Sequence, residues 1–231
     1  MSMAKLYGLG VGPGDPELMT LKAVRLIKEC AIIAVPASGQ DVNAALTIAV
    51  GAVPELSQRE ITEIPMPMIR DKEKLRESHD AAARQVIEFL QEGKDVAFLT
   101  LGDPSIYSTY IYIHKRVLAA GFEAQLVPGI PSFCAAAARL NEGLTETSQA
   151  LHVIPASYKG LAEAMELPGT KVLMKSGKSI GKIRDLIQQQ PERWEAKMVE
   201  RCGMEGERVF LSAEEIDPQA SYFSIVVVKD R

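Results

Sequence analysis

The chain has 231 residues, 47% apolar and 24% charged, with 26 basic against 30 acidic side chains for a net charge of -4. That is material for one large domain or two small ones around a buried core. It contains no run of about eighteen apolar residues to span a membrane, and the acidic balance argues against general nucleic-acid binding, which needs a basic footprint. Cys30, Cys134 and Cys202 lie far apart without CxxC spacing, and His79, His114 and His152 form no HxxxH or HExxH pattern. Neither a disulfide framework nor a protein-held metal is expected, and reduced thiols suit a cytoplasmic location.

Short β-rich runs alternate with helical patterns, which predicts an α/β architecture with largely parallel strands. "KLYGLGV" at 5–11 reads as a strand that starts too early to leave room for a signal peptide. Asp15 then offers an N-cap with Pro16 at the first helical position, and Leu18, Leu21, Val24, Leu26 and Ile27 extend a helix to Cys30. "AIIAVP" at 31–36 is a buried-type strand, followed by a helical pattern near 42–52 and a proline-interrupted extended piece, "EITEIPMPM". A long helix over 71–93 ends at Gly93, and "DVAFLTLGDPS" at 95–105 is a strand running into a Gly-Asp-Pro turn. A helix near 105–120 and the strand "EAQLVPG" at 123–129 complete the first half. The second half continues with a helix in "SFCAAAARL", strands in "ALHVIPAS" and "GTKVLMK", a helix in "SIGKIRDLIQQQ", and strands in "EAKMVERC" and "SYFSIVVVKD". The least structured place to divide the chain is "VPGIPS" at 127–132, giving domains over 1–128 and 129–231 with a cleft between them.

The stretch "GLGVGPGDP" at 8–16 invites comparison with phosphate-binding loops. A dinucleotide fingerprint needs G-x-G-x-x-G, but the sixth residue from Gly8 is Pro13 and from Gly10 is Asp15. No Gly-Lys follows nearby to make a Walker loop. Pro13 removes a donor, and Asp15 puts a carboxylate where a phosphate would sit. A second strand ends in "LGDPSIY" (101–107) and a third in "PGIPS" (128–132). In an α/β sheet, ligands bind at the carboxyl ends of strands, and glycines there let backbone approach a flat ligand.

"GVGPGDPELMTLKA" (10–23), together with "VAFLTLGDPSIYSTYIYIHKRVLAAGFEAQLVPG" (96–129), resembles the paired signature of the tetrapyrrole methyltransferases. The likeness spans nearly the whole chain. "TLGDPSIYSTY" followed by "VPGIPSFCAAAARL" is most similar to the branch that methylates C20 of precorrin-2 or cobalt-precorrin-2 in cobalamin synthesis. This resemblance implies a two-domain α/β fold of the class III methyltransferase type and a homodimer. It also implies a folded S-adenosylmethionine (SAM) between the domains, leaving as S-adenosylhomocysteine. Other members of the fold act at different ring positions, on diphthine or on ribosomal RNA, and a non-catalytic tetrapyrrole carrier is the alternative from a different class.

By the same resemblance, Gly102 and Asp103 contact the amino-acid end or methyl region of SAM, with Ile106 and Tyr107 walling the site. Asp103 is a candidate base for C20 or an orienting group. Ser132 and Phe133 follow the third strand end, Met174 matches a position at the adenosine, and Cys202 and Tyr222 to Ser224 fall where other members hold the adenine through backbone. For Met174, Cys202 and Tyr222, ordinary packing is the competing reading. Pro13 and Asp15 match a loop near the tetrapyrrole. The substrate's carboxylates call for a basic rim, for which Arg70, Lys115, Lys175 and Lys178 are candidates against a default of solvated surface charge. His114 could reach a substrate cobalt, but "YIYIHKRV" reads as helix with a partly exposed histidine.

Overall fold

The computed structural model describes residues 4–37, 43–67, 69, 71–156 and 160–231. They form two compact units, Met1–Pro131 and Ser132–Arg231.

The first unit is built on a five-stranded sheet of order β3-β2-β4-β1-β5. Its strands are β1 (Lys5–Gly10), β2 (Ile32–Ala37), β3 (Ile61–Pro65), β4 (Val96–Thr100) and β5 (Glu123–Val127). All pairs are parallel, with Gly10 opposite Thr100 and Leu9 opposite Val127. Four helices connect them: α1 (Leu21–Glu29), α2 (Ala44–Ala52), α3 (Lys72–Gln91) and α4 (Tyr110–Ala119). Every residue of β4 is buried, as expected for a central parallel strand covered on both faces. The chain leaves β2 outward to β3, and leaves the adjacent β4 in the opposite direction, past β1 to β5. Connections departing in opposite directions from neighbouring strands open a crevice at their carboxyl ends.

Local chemistry explains the helix ends. Asp71 caps α3 by accepting the N–H groups of Glu73 and Lys74, and Gly93, at φ +77°, turns the chain out after it. The helix expected to run unbroken from Pro16 does not. Asp15 caps only a 3-10 turn over Pro16–Leu18, and Thr20 then caps α1 afresh by accepting the Ala23 N–H at 3.2 Å. A threonine hydroxyl competing for backbone donors favours a new start over continuation. Arg59 closes the far end of α1, donating to the carbonyls of Ile27, Cys30 and Ala31. The Gly-Asp-Pro turn expected after β4 runs on as a loop over 101–109, and the helix expected from near 105 begins only at Tyr110.

The second unit has the sheet order β6-β7-β10-β8-β9. Its strands are β6 (Leu151–Pro155), β7 (Thr170–Met174), β8 (Trp194–Glu200), β9 (Arg208–Phe210) and β10 (Ser224–Asp230), with helices α5 (Ser132–Leu140), α6 (Leu161–Met165) and α7 (Ile180–Gln188). Only β6 and β7 pair in parallel; β10 runs antiparallel between β7 and β8, and β9 is antiparallel to β8. This corrects the expectation of largely parallel strands in the second half. The connection over 201–207 carries no helix, and parallel neighbours need a crossover of a dozen or more residues. The elements α6 and β9 were not expected; each is too short to show a period. Side chains alternate across β10: Ile225 and Val227 face α5 with Phe133, while Val226 and Val228 join Ile180, Ile183 and Ile187 of α7.

Candidate functional site

Three strand ends of the first unit meet backbone against backbone. Val11 N–H donates to the Thr100 carbonyl at 3.0 Å, carrying the β1–β4 ladder one residue beyond the strands. Gly12 and Gly102 then form an isolated antiparallel bridge, with Gly102 N–H donating to Gly12 O at 2.8 Å and Gly12 N–H to Gly102 O at 3.3 Å. A Cβ on Gly10 would lie 2.6 Å from both Gly102 O and Gly129 N, and one on Gly129 would lie 2.1 Å from Gly102 O. Glycine is required at both positions by space.

Asp103 fastens this junction. Its Oδ2 accepts the Gly129 N–H at 3.0 Å, while Oδ1 accepts the Ser105 N–H at 2.7 Å and the Ser105 hydroxyl. Gly102 has its other side open: a Cβ there would meet only Ile130 O, at 3.9 Å, although φ of +69° still disfavours a side chain. The inner contacts are closed and the outer side of the turn is free for a ligand to approach backbone. Beyond it, Ile106 and Tyr107 are exposed, and Tyr107 sits in the left-handed region at φ +49°.

The remaining candidates of the first unit are placed differently. Pro13 is buried within the strand-end loop, and the Asp15 carboxylate caps the 3-10 turn through Glu17 N–H at 2.9 Å. Lys115 is exposed on α4. Arg70 lies outside the described residues. His114 is half-buried on α4, its Nδ1 3.1 Å from the Tyr110 hydroxyl, and burial pushes its pKa down.

Within the second unit, Phe133, Met174 and Cys202 come together around one apolar cluster made with Val172, Val199, Ile225 and Val227. Ser132 opens α5 immediately before Phe133. Lys175, just after β7, has φ +55°, and burial pushes its ammonium pKa down. Tyr222 stacks edge-on with Phe223 at 5.6 Å, and burial raises its phenol pKa. Ser224 is fully buried, with its hydroxyl donating to Ser221 O at 2.8 Å and its backbone paired opposite Glu200 of β8. The side chain of Lys178 lies outside the described residues.

Sequence reasoning passed over Gly10 and Gly129 as packing positions and did not single out Thr100 or Ser108. The signal for the latter pair is the hydroxyl at each end of "TLGDPSIYS". Among the described residues, no three of His, Cys, Asp and Glu gather as a metal would need, and no helix is long and apolar enough to cross a membrane.

Glycine-sealed strand ends at a switch point, on a chain of two α/β units, define a small-molecule-binding protein of the α/β class. Comparison with known proteins narrows it. Residues 5–217 match the family Tetrapyrrole (Corrin/Porphyrin) Methylases, and the chain belongs to that family. It is 34% identical to the probable cobalt-precorrin-2 C(20)-methyltransferase of Methanocaldococcus jannaschii, over 97% of this chain and 96% of that one. It is 31% identical to the precorrin-2 C(20)-methyltransferase of a Sinorhizobium species, over 100% of this chain and 98% of that one. Among solved structures, the uroporphyrin-III C-methyltransferase of Thermus thermophilus complexed with S-adenosylhomocysteine superposes with a TM-score of 0.66. That match has 21% identity and covers 98% of this chain and 97% of the other, a likeness of fold.

Proposed function

We propose that this protein transfers the methyl group of SAM to C20 of precorrin-2 or cobalt-precorrin-2 in cobalamin synthesis. The observation that carries the reading is full-length similarity to two relatives bearing that activity in their names, in a chain whose Gly102 turn leaves backbone open to a ligand. SAM supplies an activated sulfonium methyl, so the protein's share is positioning and desolvation. Gly102 and Asp103 serve its amino-acid end, with Ile106 and Tyr107 beside them. Phe133, Met174 and Cys202 serve the adenosine through their shared cluster, and Ser132, Tyr222 and Ser224 add contacts. Both Asp103 oxygens are engaged by N–H and O–H donors, which favours the orienting role over the base.

Arg70, Lys115, Lys175 and Lys178 are assigned to the substrate carboxylates, and the loop of Pro13 and Asp15 to the macrocycle. A cytoplasmic homodimer is part of this reading; sedimentation at micromolar concentration tests the dimer, and a monomer would refute it. The decisive experiment supplies precorrin-2 with and without cobalt, together with SAM, and locates the new methyl by NMR. A methyl at C20 with at least one substrate form supports the reading; a methyl at another ring carbon, or none, overturns it. Calorimetry should show S-adenosylhomocysteine binding without added metal, and a requirement for a divalent ion counts against it.

A further inference from the structure

The loop over 101–109 carries Gly102, Asp103, Ile106 and Tyr107, and it is closed at its neck. Thr100, the last residue of β4, is only 7% exposed, and its Oγ1 lies 2.8 Å from Ser108 Oγ. Ser108 Oγ also accepts the Tyr110 N–H, at 3.3 Å, tying the neck to the first residue of α4. Immediately before Ser108, Tyr107 holds φ +49°, a conformation that L-residues with large side chains avoid. Tyr107 is 44% exposed, next to Ile106 at 36%. A bulky residue kept left-handed at a partly exposed position is held there by its surroundings rather than by core packing.

We propose that Ser108 is a positioning residue for the cofactor, acting through Tyr107. Its hydroxyl bond to Thr100 draws the loop shut behind Tyr107, and the left-handed turn aims the ring at the ligand approaching Gly102. Without that bond the backbone at Tyr107 relaxes to negative φ and the ring swings away. Ser108 itself touches no ligand. The inference rests on the reading that this loop receives SAM.

A double-mutant cycle tests it, with S-adenosylhomocysteine affinity measured by calorimetry on Ser108→Ala, Tyr107→Ala and the double variant. Ser108→Ala should weaken binding about tenfold, and Ser108→Thr, which keeps the hydroxyl, should restore it to within about threefold. In the Tyr107→Ala background, Ser108→Ala should add less than about twofold. Thr100→Val removes the same bond from the other side and should show the same coupling, so the test survives if Ser108→Ala does not fold. Equal penalties in both backgrounds would reduce Ser108 to a general structural role and overturn the proposal. So would unchanged binding in Ser108→Ala or Tyr107→Ala, or failure of the threonine rescue. Absence of binding by the wild-type protein is a separate result: it removes the cofactor reading itself, and this inference with it.

Discussion

The carboxylate of Asp103 accepts the Gly129 N–H at 3.0 Å, joining the loop after β4 to the end of β5 across β1. Through the same side chain, Oδ1 organises its own loop by accepting from Ser105. One aspartate therefore sets both the shape of the Gly102 turn and its distance from the neighbouring strand end. Hydrogen bonds to an ionised group are worth roughly twice neutral ones, which suits a carboxylate to this task.

Asp103→Ala leaves the Gly129 and Ser105 donors without their acceptor and should cost about 2 kcal/mol of stability. Asp103→Asn retains one acceptor oxygen and should cost about half as much. If Asp103 orients rather than abstracts a proton, Asp103→Asn loses mainly affinity for S-adenosylhomocysteine and little turnover at saturating SAM. Urea denaturation, calorimetry and kcat check these points. An asparagine variant that binds as tightly as wild type but has lost turnover would make Asp103 the base.

Gly129 and Gly102 should respond differently to the same methyl group. Gly129→Ala puts Cβ 2.1 Å from the Gly102 carbonyl oxygen, where backbone has to move, and should cost about 3 kcal/mol or more. Gly102→Ala makes only an ordinary contact with Ile130 O at 3.9 Å and suffers the positive φ, which costs about 1–2 kcal/mol, so it should fold. Gly102→Val should still melt cooperatively while binding S-adenosylhomocysteine at least about tenfold more weakly. Tight binding by a folded Gly102→Val would show that the cofactor does not lie against this turn.

Gly8 is fitted to Tyr110. A Cβ on Gly8 would fall 2.1 Å from the ring of that buried tyrosine. Gly8→Ala should therefore be destabilising by about 2–3 kcal/mol, and Tyr110→Leu in the same chain should recover part of the loss. Thermal melts of the two single variants and the double variant measure the coupling. Additive losses would mean that the strand and helix adjust without this contact.

Asp230 pairs with Lys171, which is fully buried, and accepts the Gly169 N–H at 2.8 Å. Burial opposes ionisation of Asp230, but the Lys171 ammonium and the Gly169 N–H outweigh it and hold its pKa below the usual value. With a folded pKa below the unfolded one, its contribution is present above about pH 4 and is lost as pH falls through the folded value. Asp230→Asn strands the buried ammonium and should cost about 3 kcal/mol at pH 7. Lys171→Met, which removes the buried charge and leaves a partly exposed carboxylate, should cost less. Urea titrations at pH 7 and below pH 4 test both points: the gap between Asp230→Asn and wild type should narrow in acid.

Much of the architecture was legible because it is local. The 3.6-residue spacing of α3 and its Gly93 stop, and the apolar runs of β2, β4 and β10, are written in consecutive residues, and so is the paired motif that points to the tetrapyrrole methylases. The start of α1 was misread because Asp15 and Thr20 both make good caps, and only packing decides between them. The second unit's strand directions were also hidden. A run such as "SIVVVKD" has the same pattern whichever way its neighbours point, and β10 owes its antiparallel place to β7 and β8.

Residue types alone determined that three strands end in glycine-rich turns, that none has the phosphate-loop spacing, and that Gly102 and Asp103 follow directly on one of those strand ends. Tertiary structure decided what those turns do to one another. Gly10 and Gly129 lack side chains because other backbone occupies the space, whereas a Cβ on Gly102 would meet only Ile130 O, at 3.9 Å. Asp103 is spent on an amide 26 residues away, and Thr100 finds Ser108 across a loop. The cause is the parallel sheet, which sets β1, β4 and β5 abreast so that residues remote in the chain come within van der Waals reach. No local pattern encodes which of them will touch.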